Sequence, residues 1–145
     1  MNWDAVGEIE IDGKREWLLV EAKGHLGEIG SSCTAKSTAS LDLIARALAE
    51  TKAAIGAPPD ADWLNGYYQY ANRLVVLDHL RRHGVGARLL FIYFCGDVRP
   101  DSVVCPPDAA GWADALAAQE AHLGLPANHP LASRVHKLFL PVWAK

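Results

Sequence analysis

The segment Ala87 to Cys95, ARLLFIYFC, is a near-continuous apolar run rich in aromatic and branched residues, with glycines on both flanks. A strand without polar alternation has no side to give to water, so it is expected to be central and covered on both faces. The helices beginning near Leu41 and Asp62 are the expected cover. A solvent-facing Leu90 or Ile92 would point instead to an oligomer interface. Upstream, two extended segments, Ala5 to Ile11 and Arg15 to Ala22, flank Asp12-Gly13. That dipeptide suits a two-residue type I′ hairpin turn, because both central residues need φ > 0.

Helical spacing takes over at Leu41, Ile44, Leu48 and Ile55, with Ser40 as N-cap and Gly56, then Pro58-Pro59, as the stop. A second helix is expected from near Asp60 or Asp62 to about His83, with Leu64, Tyr67, Tyr68, Ala71, Leu74 and Val75 inward and Gly84 supplying the left-handed end. A third runs from Asp108 to Leu123, ended by Gly124 and Pro126, and a last strand lies around Arg134 to Leu140. The order is therefore β-β-α-α-β-α-β, an α/β pattern in one domain covering residues 1–145.

Composition narrows the chemistry. Half of the 145 residues are hydrophobic and 21% are charged, as in an ordinary folded domain. The opening MNWDAVGEIE has no secretory pattern and the apolar runs are too short for a membrane span, so the expected setting is cytoplasmic, without membrane partners. Three cysteines without CxxC spacing are expected to be free thiols. A net charge of -3 means that any contact with nucleic acid must be local or metal-assisted. No nucleotide-binding or hydrolase-triad fingerprint occurs.

An acid, any residue and a lysine recur three times, at Asp12-Gly13-Lys14, Glu21-Ala22-Lys23 and Glu50-Thr51-Lys52. The first is the hairpin turn. In the third, on a helix, residues two apart point about 200° apart. Only Glu21 and Lys23, at a strand end, project from one face. A two-residue turn pairs Ile11 with Lys14 and, counting outward, Asp4 with Glu21, which puts Asp4, Glu21 and Lys23 on one face and Trp3, Ala5, Leu18 and Val20 on the other. Two facing carboxylates repel, and a divalent cation such as Mg²⁺ or Mn²⁺ between them removes the conflict. Such an ion lowers the pKa of a bound water and polarises a phosphoryl oxygen, while the lysine orients the water or neutralises developing charge.

Asp4, sixteen intervening residues, then Glu21-Ala22-Lys23 after the strand WLLV resembles the PD-(D/E)xK, or restriction-endonuclease-like, nuclease superfamily. The resemblance implies a mixed central sheet flanked by helices and Mg²⁺-dependent cleavage of DNA or RNA. By match of position it makes Asp4 and Glu21 metal ligands, the Ala22 carbonyl a third, and Lys23 the catalytic lysine. The family's core usually opens with a helix and a further strand before the first acid, so the resemblance also implies an incomplete N-terminal part. A non-catalytic member of the same fold, serving as a protein-interaction or nucleic-acid-binding module, stays open as the alternative, as does a homo-oligomer or a protein partner.

Other candidates for substrate contact surround this motif. His25 and Glu28 follow it in GHLGE, and can reach a substrate or form a plain polar loop. Ser31, Ser32 and Lys36 precede the first helix, where hydroxyls, amides and a lysine either hold a phosphate or make an ordinary cap. Gln69, Asn72 and Arg73 share one side of the second helix. Some nucleases of the superfamily carry a glutamine and a tyrosine four apart there; here Arg73 stands in the tyrosine's place, and a merely polar helix face is the competing expectation. Arg81, Arg82 and His83 complement the dipole of a helix C-terminus and are assigned no function.

Overall fold

The computed structural model describes residues 2–143. Asp12 and Gly13 both take positive φ, 52° and 74°, so the hairpin turn is the two-residue kind its sequence requires. It joins β1 (Ala5–Ile11) to β2 (Lys14–Lys23), antiparallel, in the register that sets Ile11 against Lys14 and Ala5 against Val20. Strands β3 (Ala87–Cys95) and β4 (Val135–Pro141) follow in parallel, giving a four-stranded mixed sheet in the order β1-β2-β3-β4. Parallel pairing needs long crossovers, and these contain α1 (Thr38–Ile55), α2 (Tyr68–Arg82) and α3 (Ala109–Leu123).

Local chemistry explains where each helix starts. Ser37, not Ser40, caps α1: its Oγ accepts from the Ser40 amide at 3.1 Å, so the helix begins before the first apolar residue of the pattern. The expected start of the second helix near Asp60 or Asp62 is corrected to Tyr68. Asp62 instead organises a turn, its Oδ1 accepting from the amides of Leu64 and Asn65, and Gly66 at φ 80° breaks any helical path. Those bonds, led by the Asn65 side chain, hold the Asp62 carboxyl below its usual range against the opposing effect of burial. Asp108 caps α3 through the Gly111 amide.

The core lies on one side of the sheet. Leu89, Phe91, Tyr93 and Cys95 of β3 are buried, and the aromatic members meet Tyr70 of α2 (stacked on Phe91 at 4.7 Å) and Trp112 of α3 (5.0 Å from Tyr93). Helices α2 and α3 pack on β3, whereas α1 packs on α2 and forms an outer layer. The expected two-sided cover is therefore wrong. Leu18, Val20, Ala22, Leu90, Ile92, Phe94, Leu138 and Leu140 alternate to the opposite face and are only half-buried or exposed; none joins the core cluster. An apolar run records that both faces are greasy, not that both are covered. Trp3, expected on that open side with Ala5, packs instead against the core, its ring 4.2 Å from the Arg73 guanidinium.

Candidate active site

Glu21 points from β2 toward α2 and is 4% exposed. A carboxylate taken out of water must be paired and hydrogen-bonded, and Glu21 is. Its Oε1 accepts from Lys23 Nζ and Gln69 Nε2, both at 2.6 Å. Its Oε2 accepts from Arg73 Nε at 2.9 Å and from an Arg73 terminal nitrogen, Nη2, at 2.7 Å. Lys23 Nζ also donates to Gln69 Oε1 at 2.7 Å, which closes a triangle among the three side chains.

Each partner is placed by its element. Lys23 shares the Glu21 face because strand residues two apart do so. Gln69 and Arg73, four apart on α2, share a helix face aimed at the sheet. Ser31 fixes the start of that helix: its Oγ accepts from the Gln69 amide at 2.7 Å, while its own amide and carbonyl bond to Gly66 and Tyr68. Arg73 is buried, and it reaches further, donating through Nη2 to the Asn2 carbonyl at 2.6 Å. That bond and the Trp3 contact pin the N-terminal end of β1 to α2.

Asp4 lies one residue beyond the β1–β2 ladder, in a bend. Its amide donates to the Val20 carbonyl at 3.1 Å, and its exposed carboxylate accepts from the Ala22 amide through Oδ2 at 2.7 Å. Thus the register holds as far as Ala5, but Asp4 sits against Ala22 at the rim, while Glu21 is sealed below. The donor set suits a hard divalent ion in kind: two carboxylates, a backbone carbonyl and no soft ligand. Asp4 Oδ1 has no described donor, whereas both Glu21 oxygens are held by N–H groups, so an ion draws on Glu21 only as one of those donors gives way. Among the described residues no group of three or more histidine, cysteine or acidic side chains is disposed to hold a metal. In chemistry the donors suit such an ion, but in this arrangement only Asp4 is open at the rim, and Glu21 lies buried with both oxygens engaged.

Around this centre, His25 Nε2 approaches Glu28 Oε1 at 3.4 Å, and the other Glu28 oxygen takes the Gly24 amide, so the two residues brace the turn after β2. Lys36 is exposed in the loop before α1 and Ser32 is exposed beside Ser31. A cavity of about 10 Å³ lies beside Glu21, Lys23 and Gln69, lined also by Tyr93 and Gln119. It has room for one water. Burial first, then nearby charges including Glu21, pushes the Tyr93 hydroxyl up, so it stays protonated there.

Two corrections concern α2. The merely polar face expected of Gln69 and Arg73 is a hydrogen-bonding face turned to the sheet, with Arg73 buried and Gln69 and Asn72 half-buried. Ser31, offered as a phosphate ligand, has its amide, carbonyl and hydroxyl engaged in positioning α2. Gln119, which is 3% exposed on α3, escaped the sequence reading because a lone glutamine among alanines carries no spacing signal. Arg81 and Arg82 do clasp an acid, Asp78, which is fully buried. Comparison of the chain with family models, with curated proteins and with solved structures finds no match.

Proposed function

We propose that the chain is a metal-dependent phosphodiester hydrolase, a nuclease acting on DNA or RNA with Mg²⁺ or Mn²⁺. The observation that carries this reading is the convergence of Glu21, Lys23 and Gln69, from two separate elements, beside the rim carboxylate of Asp4. Asp4, Glu21 and the Ala22 carbonyl would hold the ion, which supplies a bound water of lowered pKa and charge for a phosphoryl oxygen. The chain's own residues do the rest. Lys23 and Arg73 balance the charges of Glu21 and the neighbouring Asp4, so the positive excess that would attract an anionic phosphodiester would come from the ion. Lys23 Nζ is held by Glu21 and Gln69, and in this reading it would neutralise charge developing on the phosphoryl oxygens or orient the attacking water. Gln69 fixes both partners at once and thereby orients the pair.

A second reading rests on a different observation. Both oxygens of Glu21 are already saturated, and Arg73 contributes two of the four bonds. In a non-catalytic module the same cluster is a buried staple between β2 and α2. The deciding experiment uses the full chain with end-labelled single- and double-stranded DNA and RNA, with Mg²⁺ or Mn²⁺. Cleavage by the wild type that is lost in Asp4→Asn and in Lys23→Ala supports the nuclease. Absence of cleavage on every substrate, together with no metal-dependent rise in melting temperature, overturns it in favour of the module.

A further inference from the structure

A second cavity lies beyond the Glu21 cluster, on the same face of the sheet. Glu21, Phe91 and Lys137 stand in one row across β2, β3 and β4. At about 4.8 Å per strand, Lys137 is about 10 Å from Glu21. Lys137 lines a cavity of about 200 Å³ between β4, the end of α3 and the segment 125–132. The charged part of the lining is the ion pair of Lys137 with Glu120, at the mouth, where both side chains keep contact with water. Leu125, Pro126, Ala132 and Val135 give apolar walls. Sites for drug-sized ligands run to roughly 300–1,000 Å³, so this smaller space suits a single small ring system.

Two polar groups at this cavity lack partners. A buried tyrosine hydroxyl ordinarily finds a hydrogen-bond partner; Tyr70, only 6% exposed, lines the cavity and has none among the described residues. Burial, then the nearby Glu120 carboxylate, pushes its phenol up, so the group stays an O–H. His129, half-buried, lines the cavity as well, and its Nδ1 accepts from the Leu131 amide at 3.2 Å. A backbone N–H can only donate, so that nitrogen carries no proton and the neutral ring holds its proton on Nε2. Burial favours this neutral form, against the pull of Glu120. The Nε2–H has no acceptor among the described residues. Glu120 gives Oε1 to Lys137 and keeps Oε2 as an open acceptor.

We infer that this cavity binds a nucleobase, a small uncharged planar heterocycle whose amide-like edge offers acceptors to the Tyr70 hydroxyl and His129 Nε2–H and a donor to Glu120 Oε2. The charge of the lining selects this class first. Glu120 and Lys137 cancel, and His129 and Tyr70 are neutral, so the lining attracts neither an anion nor a cation. Shape and polarity select it next. A sugar would turn hydroxyls against walls that cannot hydrogen-bond, which is costly. A base confines its polar groups to its rim and leaves two apolar faces for Leu125, Pro126, Ala132 and Val135.

None of these residues belongs to the proposed nuclease centre, and base binding is measured without any activity. Isothermal titration calorimetry of the full chain with adenine, hypoxanthine, cytosine and uracil should show saturable binding of at least one of them at a single site. Tyr70→Phe keeps the ring that stacks on Phe91 and removes a hydroxyl without a partner, so its melting temperature should be unchanged or raised while base affinity falls about tenfold. His129→Ala should weaken binding by a similar factor. Asp4→Asn, at the rim of the other centre, should leave base affinity unchanged. The absence of binding by all four bases up to millimolar concentration overturns the inference, as does an affinity indifferent to both Tyr70→Phe and His129→Ala. A loss in Asp4→Asn overturns it too, by placing the base at the nuclease centre. Equal binding of myo-inositol or inorganic phosphate, the polyhydroxyl and anionic controls, overturns the choice of ligand class.

Discussion

Glu16 and Glu21 lie on the same strand, and each is clasped by two cations, yet they face opposite sides of the sheet and do different things. Glu16 is on the open face, paired with Arg88 Nε at 2.6 Å and with Arg134 at 3.3 Å, both from the two neighbouring parallel strands or their approach. Glu21 is on the helix face, paired with a lysine of its own strand and with an arginine of α2. The first cluster ties strand to strand at the sheet's end. The second ties sheet to helix, adds a glutamine that bridges carboxylate and lysine, and has an exposed carboxylate at its rim. Ion pairing alone thus does not distinguish the proposed site from a structural cluster. What separates the two is burial, the bridging amide and access from Asp4.

Removing the charge from each acid should break the symmetry most clearly. Glu21→Gln leaves Lys23 and Arg73 buried without a counter-charge, and should cost about 3–5 kcal/mol of stability by urea unfolding. If folding is kept by working at low temperature, Lys23→Ala should lower the rate of phosphodiester cleavage about 10²–10³-fold, the scale of losing one donor that stabilises transition-state charge. No comparable loss is expected for Arg88→Ala, since the Glu16 cluster lies on the other face.

Arg73→Met sharpens the contrast between staple and site. If Arg73 competes with an ion for Glu21 Oε2, its removal should enlarge the Mg²⁺-dependent rise in melting temperature, by about 2–4 °C for each kcal/mol of added binding free energy in a chain of this size. An unchanged or smaller rise would mean that Arg73 shapes the ligand geometry rather than blocking it.

Glu16→Gln should be the smallest perturbation, about 1 kcal/mol or less, because its partners keep contact with water. Its pH dependence has a definite sign. Burial acts to raise the Glu16 carboxyl, but the hydrogen bonds and charges of Arg88 and Arg134 outweigh it and hold the group below its ordinary value of 4.5. The folded state therefore binds the proton less readily than the unfolded chain. The stability difference between wild type and Glu16→Gln should be full well above pH 4.5, and should be lost as the pH falls through the lowered folded value. A difference that grows on acidification would show that the ion pair is not formed.

Much of this was legible locally. Asp12-Gly13 demands positive φ twice, so the hairpin register and the selection of Glu21-Ala22-Lys23 over its two rivals follow from strand and helix geometry before any tertiary contact is known. The stops at Gly56, Gly84 and Gly124 are equally local, since each residue takes the left-handed conformation that ends a helix. Among the described helices, none is long and apolar enough to cross a membrane, as the short apolar runs foretold.

What required the tertiary structure is the meeting of residues far apart in the chain. That Arg73 directs its guanidinium to Glu21 and Asn2, and that Ser31 accepts from the Gln69 amide, depends on where α2 docks. Docking is set by the shape of Tyr70, Phe91, Tyr93 and Trp112 together, which no single window of sequence contains. The same limit applies to the two faces of β3. Apolar residues at every position announce that water is unwelcome on both sides; only the packed arrangement decides that the helices take one side and leave the other bare, because hydrophobic attraction has no direction of its own.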